Sequence, residues 1–198
     1  MSLAKPPGKQ LSLFGVEARP ASPLDFEGLL AGAGQVVRMG GTARVSIVVD
    51  EPWRARALLV EARARGLTAT CEPGEVEGHI GFRTAYSSAL AALGAAWLRG
   101  AVKHPPPGFA LEGRRLRLWA IAAGGRDGAS AFTLRLGATG EPHWELVGRA
   151  LATVGLPAVL LGPRAGGPAY RIVGRRRLAR LAELVGDPPP GAPPGIWV

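Results

Sequence analysis

Three groups of residues stand out by type and spacing. Gln10-Leu11-Ser12-Leu13-Phe14 sets a primary amide ahead of three apolar side chains. In an extended segment the amide supplies hydrogen bonds, while Leu11 and the Leu13-Phe14 pair supply anchors for a preformed pocket on a partner. Alternating apolar residues also suit a strand. Pro6-Pro7-Gly8 and Pro20, however, keep the segment out of a core and accessible. Arg114-Arg115-Leu116-Arg117-Leu118-Trp119 places three guanidinium groups beside an indole. Read as a strand, this run either grips phosphates and stacks on a base or guards a sheet edge with charge. Arg175-Arg176-Arg177, with Arg180, opens a helix. Cations there oppose the helix dipole, which favours a functional reason such as phosphate contact.

Other chemistries find little support. The single Cys71 excludes an internal disulfide framework and a Cys-rich zinc site, and three His are few for a metal centre. Cys71 is read as a small core residue, and His104 and His143 as surface or capping groups. Gly124-Gly125 and Gly166-Gly167 lack the following Lys-Ser/Thr of a phosphate loop. No Ser–His–Asp spacing occurs. Asp50, Glu112 and Asp127 sit at turns or hairpin ends. No apolar run reaches the length of a membrane span, and the first residues lack the apolar region of a signal peptide. A cytoplasmic protein is therefore expected, with no cofactor, no metal and no membrane partner.

Charge is unevenly distributed. The 198 residues hold 24 Lys+Arg and 15 Asp+Glu, a net charge of +9. Segment 25–85 contributes −1 and segment 86–187 contributes +8. Such asymmetry points to a polyanion, here DNA.

The elements that must position these residues repeat. Segment 1–24 and the Pro-rich segment 188–198 read as flexible tails. Between them, 25–85 and 86–187 form two halves. In the first, a short helix at 26–31 precedes a hairpin around Gly40-Gly41. A helix then starts at Asp50-Glu51-Pro52-Trp53 and ends at Gly66, and strands follow at about 67–71 and 78–84. Trp53, Ala57, Val60 and Ala64 are its expected buried stripe. In the second half a helix at 87–100 leads to strands at 114–122 and 131–136, a helix from Glu141-Pro142 to Gly155, strands at 158–162 and 169–173, and a last helix at 175–185. Glu51-Pro52 and Glu141-Pro142 lie 90 residues apart, and Gly66-Leu67 and Gly155-Leu156 lie 89 apart. The repeat predicts an α+β fold of duplicated αββαββ halves with pseudo-twofold symmetry.

That order resembles the LAGLIDADG homing-endonuclease fold. Phe26-Glu27-Gly28-Leu29-Leu30-Ala31-Gly32-Ala33-Gly34 fits its nine-residue motif by glycines and apolar positions. The first half is more similar to the N-terminal domain of the WhiA regulators, and Ala96-Trp97-Leu98-Arg99-Gly100-Ala101 resembles the second WhiA motif helix. The resemblance covers 25–187 and implies that two motif helices pack at the pseudo-twofold axis and that two curved sheets lie on DNA. It also implies an acid ending each motif helix to hold a divalent metal. The first such position falls on Ala33, and the second falls near Arg99 or Lys103-His104. None is a carboxylate, so no catalytic residue and no enzyme activity are expected.

Gln10 to Phe14 is similar to the pentapeptide that binds the bacterial sliding clamp. Together these resemblances imply a monomeric, non-catalytic DNA-binding accessory protein of bacterial type, recruited to the clamp in DNA replication or repair and associated with the nucleoid or replisome. Two alternatives stand beside this: a WhiA-like transcription regulator or protein-interaction module, and a metal-dependent nuclease using other acids.

Overall fold

The computed structural model describes residues 15, 16, 18–138 and 141–198. The pentapeptide Gln10 to Phe14 lies outside them. The chain enters at Gly15 and Val16, where the Val16 amide donates to the Leu184 carbonyl at 2.9 Å.

Ser22 starts the first half. Its hydroxyl accepts from the Leu24 amide, while the Asp25 carboxylate accepts from the Ser22 amide at 2.9 Å. This reciprocal cap satisfies otherwise orphaned donors and sets a 3-10 turn, Pro23–Phe26, that runs into α1, Glu27–Ala31. Next come β1 (Gln35–Met39), β2 (Thr42–Val49), α2 (Pro52–Arg63), β3 (Ala69–Pro73) and β4 (Ile80–Thr84). All pairings are antiparallel, in the order β1-β2-β4-β3. Gly40, at φ +57°, makes the tight β1–β2 turn that a side chain would strain.

A connecting segment holds α3 (Ala91–Trp97) and a small hairpin, β5 (Leu98–Arg99) and β6 (Val102–Lys103). α3 lies across β1 and β2, so close that a Cβ on Gly94 would sit 2.8 Å from that of Ala43. The second half then runs α4 (Gly113–Ala123), β7 (Gly124–Arg126), β8 (Ala131–Arg135), α5 (Glu141–Thr153), β9 (Val159–Leu161), β10 (Ala169–Val173) and α6 (Arg175–Val185). Its sheet order, β7-β8-β10-β9, repeats the first.

The duplication holds, but its second copy starts later than the sequence pattern placed it. Residues 114–122 are helix α4 rather than a strand, and the second hairpin is β7–β8. The expected helix at 87–100 shortens to α3 and belongs to the connection. The cause is burial. From Leu118 to Ala123 every residue of α4 is buried. A helix apolar all round leaves no periodic stripe, so a short apolar run does not separate helix from strand.

α4 is the axis of the molecule. It packs on α1, α2 and α6 and leads into the second sheet. Against α1 the approach is extreme. A Cβ on Gly28 would lie 1.8 Å from the Arg115 carbonyl oxygen, and one on Gly32 would lie 2.6 Å from Trp119 Nε1. Gly28 on α1 and Gly32 at its C-cap thus meet α4 residues one turn apart, and Trp119 Nε1 donates to the Arg135 carbonyl at 2.8 Å.

The buried stripe of α2 also differs. Trp53, Ala57, Leu58 and Ala62 face the core, while Val60 and Ala64 face solvent. Arg54 and Arg65, which a polarity pattern assigns to solvent, are buried because Asp50 and Asp25 neutralise them. Nor is 188–198 a free tail. Trp197 is buried, its Nε1 donates to the Gly186 carbonyl at 2.9 Å, and Arg126 Nε donates to the Trp197 carbonyl at 2.7 Å.

Gly28→Ala forces backbone apart between α1 and α4. It is expected to lower stability by about 3 kcal/mol or more, the upper range for overpacking. Urea unfolding followed by circular dichroism measures this, and Gly41→Ala, with open space around the added methyl, is the near-neutral control.

Candidate nucleic-acid interface

Strand alternation gives each sheet an inner and an outer face. Val45, Ile47 and Phe82 point inward on the first sheet, and Phe132, Leu134, Tyr170 and Ile172 on the second. The outer face of the first sheet presents Val37, Arg44, Ser46, Val48 and Arg83, and that of the second Thr133, Arg135 and Arg171. Each arginine on these faces has an intramolecular partner. Arg44 lies 4.9 Å from the centroid of the Tyr86 ring. Arg83 pairs with Glu72, Arg135 with Asp50, and Arg171 with Asp127 at 2.6 Å. Four guanidinium groups meet three carboxylates, so these faces carry little free positive charge. Val37, Met39 and Val48 remain exposed on the first sheet.

The sequence-predicted arginines divide into two groups. Arg114, Arg115 and Arg117, on α4, turn to protein partners. Arg114 Nε donates to the Arg19 carbonyl at 2.5 Å, Arg115 pairs with Glu27 at 3.0 Å, and Arg117 pairs with Glu61 at 2.8 Å. Trp119 is wholly buried. Trp119 therefore belongs to the core, and the three half-buried arginines tie α4 to its neighbours rather than forming a strand face. Arg175, Arg176 and Arg177 are exposed on the first turn of α6. With Arg180 they border an open cleft of about 660 Å³ beside Gly155, Pro157 and Gly174. Arg180 itself pairs with Glu183 at 2.8 Å.

At the inner ends of the two sheets the central helices finish in carbonyl groups without helical partners. Ala33 follows α1. The equivalent junction in the second half, where α4 passes into β7, ends at Ala123, which corrects the sequence placement near Arg99 or Lys103-His104. Both carbonyl ends already hold a cation. Lys103, on β6, donates from Nζ to the Gly32 and Gly34 carbonyls, each at 2.8 Å. Arg54, on α2, donates to the Ile121 carbonyl at 2.7 Å and the Gly124 carbonyl at 2.8 Å. Its Nε also forms an ion pair with Asp50 at 3.0 Å.

Burial pushes the Lys103 ammonium down to about 8. Burial alone raises the Asp50 carboxyl, but the hydrogen bond and charge of Arg135 and the charge of Arg54 outweigh it and hold the group below its usual range. His104 and His143, distant in sequence, meet ring to ring with centroids 4.4 Å apart. Burial and the charges of His104 and Lys103 lower His143.

A divalent ion needs several oxygen ligands, carboxylates among them. Ala33 and Ala123 offer none, and the nearby carbonyls are bound to cations. Among the described residues no group of three His, Cys, Asp or Glu side chains is placed to hold a metal. The residues present do not fit the metal pair that the LAGLIDADG resemblance implies.

Arg54 escaped the sequence reading, although its i,i+4 spacing from Asp50 was a usable signal. Lys103 had another: it is the only Lys after residue 9 in a chain otherwise written with Arg. Either cation can serve two carbonyls: the Lys103 ammonium meets both from one nitrogen, and the Arg54 fork meets one from each terminal nitrogen.

The fold is that of the LAGLIDADG proteins. The chain is similar to the homing endonuclease I-WcaI bound to its DNA recognition sequence, with 13% identity over 92% of this chain and 89% of that one, and a TM-score of 0.57. It is similar as well to the N-terminal LAGLIDADG domain of DUF199/WhiA, with 10% identity over 91% and 89%, and a TM-score of 0.58. No protein-family model matches the sequence, and no curated protein matches it. Among the described residues no helix is long and apolar enough to cross a membrane.

The depressed Lys103 group has a sign that can be tested. Between about 8 and its ordinary 10.5, the unfolded chain binds more protons at this site than the folded one. Its contribution to stability therefore rises as pH rises through that window. Lys103→Met removes this slope, which chemical denaturation at a series of pH values across the window will show.

Proposed function

We propose that this protein is a non-catalytic DNA-binding accessory factor, tethered to the bacterial sliding clamp by Gln10 to Phe14 and acting in DNA replication or repair. The observation that carries the DNA-binding part is the fold: two like four-stranded sheets joined through α1 and α4, in a chain whose fold is similar to that of I-WcaI, a homing endonuclease solved bound to its DNA recognition sequence. A basic second half and the exposed Arg175, Arg176 and Arg177 support it, since clustered guanidinium groups bind phosphates by releasing counterions. The pentapeptide supports the tether. It lies immediately before Gly15, from which the chain docks on α6 through Val16.

Weak binding and a tether belong together. The sheet arginines are held by Glu72, Asp50 and Asp127, so the domain alone gains modest affinity from its sheets. Tethering converts DNA encounter into a local event at high effective concentration and needs no further contact. Ala33 and Ala123 at the motif-helix ends support a non-catalytic reading over a nuclease. A second reading, a WhiA-like protein-interaction module, draws on the exposed Val37, Met39 and Val48, since apolar sheet surface is what a protein partner covers.

Two experiments test the proposal. Leu13→Ala with Phe14→Ala is expected to abolish binding of the full chain to the sliding clamp in fluorescence anisotropy, with thermal unfolding unchanged; retained affinity would sink the tether. Arg175→Ala, Arg176→Ala and Arg177→Ala together are expected to weaken duplex binding and to reduce the slope of log K against log salt by roughly 2 to 3, on the scale of one unit per phosphate contact. An unchanged slope would place DNA contact elsewhere, and absence of DNA binding would favour the protein-interaction module.

A further inference from the structure

The two central helix ends share one surface. A Cβ on Gly32 would lie 3.2 Å from the Arg135 carbonyl, and one on Gly137 would lie 3.2 Å from the Ala33 Cα, so the end of β8 runs against the end of α1. At the other helix end, Arg54 holds the carbonyls of α4 and pairs with Asp50, which pairs in turn with Arg135. Arg135 thus lies beside one helix terminus and is linked by charge to the other. It is exposed, whereas Arg54 is buried and Lys103 is half-buried.

The two halves supply their cations differently. Lys103 comes from the connecting hairpin and serves α1, while Arg54 comes from α2 of the first half and serves α4. Neither is a copy of the other, yet each reaches the same place: carbonyl oxygens that end a central helix, where the backbone dipole is negative and a cation is favoured. Arg54, Asp50 and Arg135 form one charge chain at the end of α4, where Glu51 also acts on Arg54, and Lys103 stands at the end of α1.

We propose that Lys103 and Arg54 are built-in counter-ions standing where the LAGLIDADG resemblance implies metals, so that the junction of the two sheets takes a DNA phosphate through Arg135 without any divalent ion. The phosphate part rests on the DNA-binding reading, whereas the metal part does not. Fixed cations keep the site positive whatever the metal supply. They also leave no activated water to attack the phosphodiester, because a metal-bound hydroxide requires an open coordination position. In binding DNA, Arg135 exchanges Asp50 for the phosphate, while Arg54 retains Asp50 and keeps that carboxylate neutralised.

The test uses the full chain in two arms. In the first, Mn²⁺ is titrated into the free protein and followed by electron paramagnetic resonance. No saturable binding is expected up to millimolar metal. Saturable binding that Asp50→Asn abolishes would overturn the proposal, whether or not the protein binds DNA. In the second, duplex affinity is measured with EDTA and again with Mg²⁺ at matched ionic strength. The two values are expected to agree, and tightening by Mg²⁺ of about tenfold or more, beyond what ionic screening produces, would overturn it. Arg135→Gln is expected to weaken DNA binding roughly fivefold, within the range for a charge contacting phosphate, and to leave the Mn²⁺ titration flat. An Arg135→Gln protein with wild-type affinity would remove the phosphate contact from the proposal. DNA binding by neither protein would refute the DNA-binding reading while the first arm still decides the metal question.

Discussion

The structure depends on how closely α1 approaches α4. Two like sheets form one continuous core only if the helices between them nearly touch, because a wider gap would leave a cavity along the axis. Gly28 and Gly32 permit the approach by presenting no side chain, and Arg115 and Trp119 fill the facing turn. The same contact sets the geometry of everything beyond it. Trp119 bonds to the Arg135 carbonyl and fixes the end of β8 against the end of α1, and the sheets take their relative placement from that junction.

Charge is used structurally before it is used at the surface. Asp25 and Arg65 are both fully buried and pair at 3.0 Å, Arg65 pairs with Glu61, and Glu61 pairs with Arg117. This chain of ions joins the first 3-10 turn, α2 and α4. Such a network adds little net stability over apolar packing, but breaking one member leaves an uncompensated buried charge. It therefore specifies which helix faces meet. A large share of the formal positive charge is consumed inside the fold or at its seams, which separates total charge from charge available to a polyanion.

The exposed charge follows a pattern. On the sheet faces Arg83, Arg135 and Arg171 are paired with acids and Arg44 lies on the Tyr86 ring, whereas at the first turn of α6 Arg175, Arg176 and Arg177 stand out toward solvent beside a cleft. The site at the sheet junction lies between these extremes, with Lys103 and Arg54 locked to backbone and Arg135 shared with Asp50. A protein arranged this way presents fixed positive points rather than a uniformly basic surface.

The repeat, the α+β class and most elements were legible from residue order alone. Turn glycines, Pro-started helices and alternating strands are local signals, written within a few residues, and Glu51-Pro52 and Glu141-Pro142 carried the spacing. The resemblance the sequence carries also implies that Ala33 stands where a metal-holding member of that fold has an acid. Only the tertiary structure decided that 114–122 is a helix, since a segment buried on every side has no periodicity to read. Only the tertiary structure brought Lys103 to Gly32 and Gly34, Arg54 to α4, and His104 to His143. These contacts join residues from 39 to 71 positions apart. A buried cation and a solvent-facing one look alike in sequence, because what separates them is the oxygen that folding places beside each.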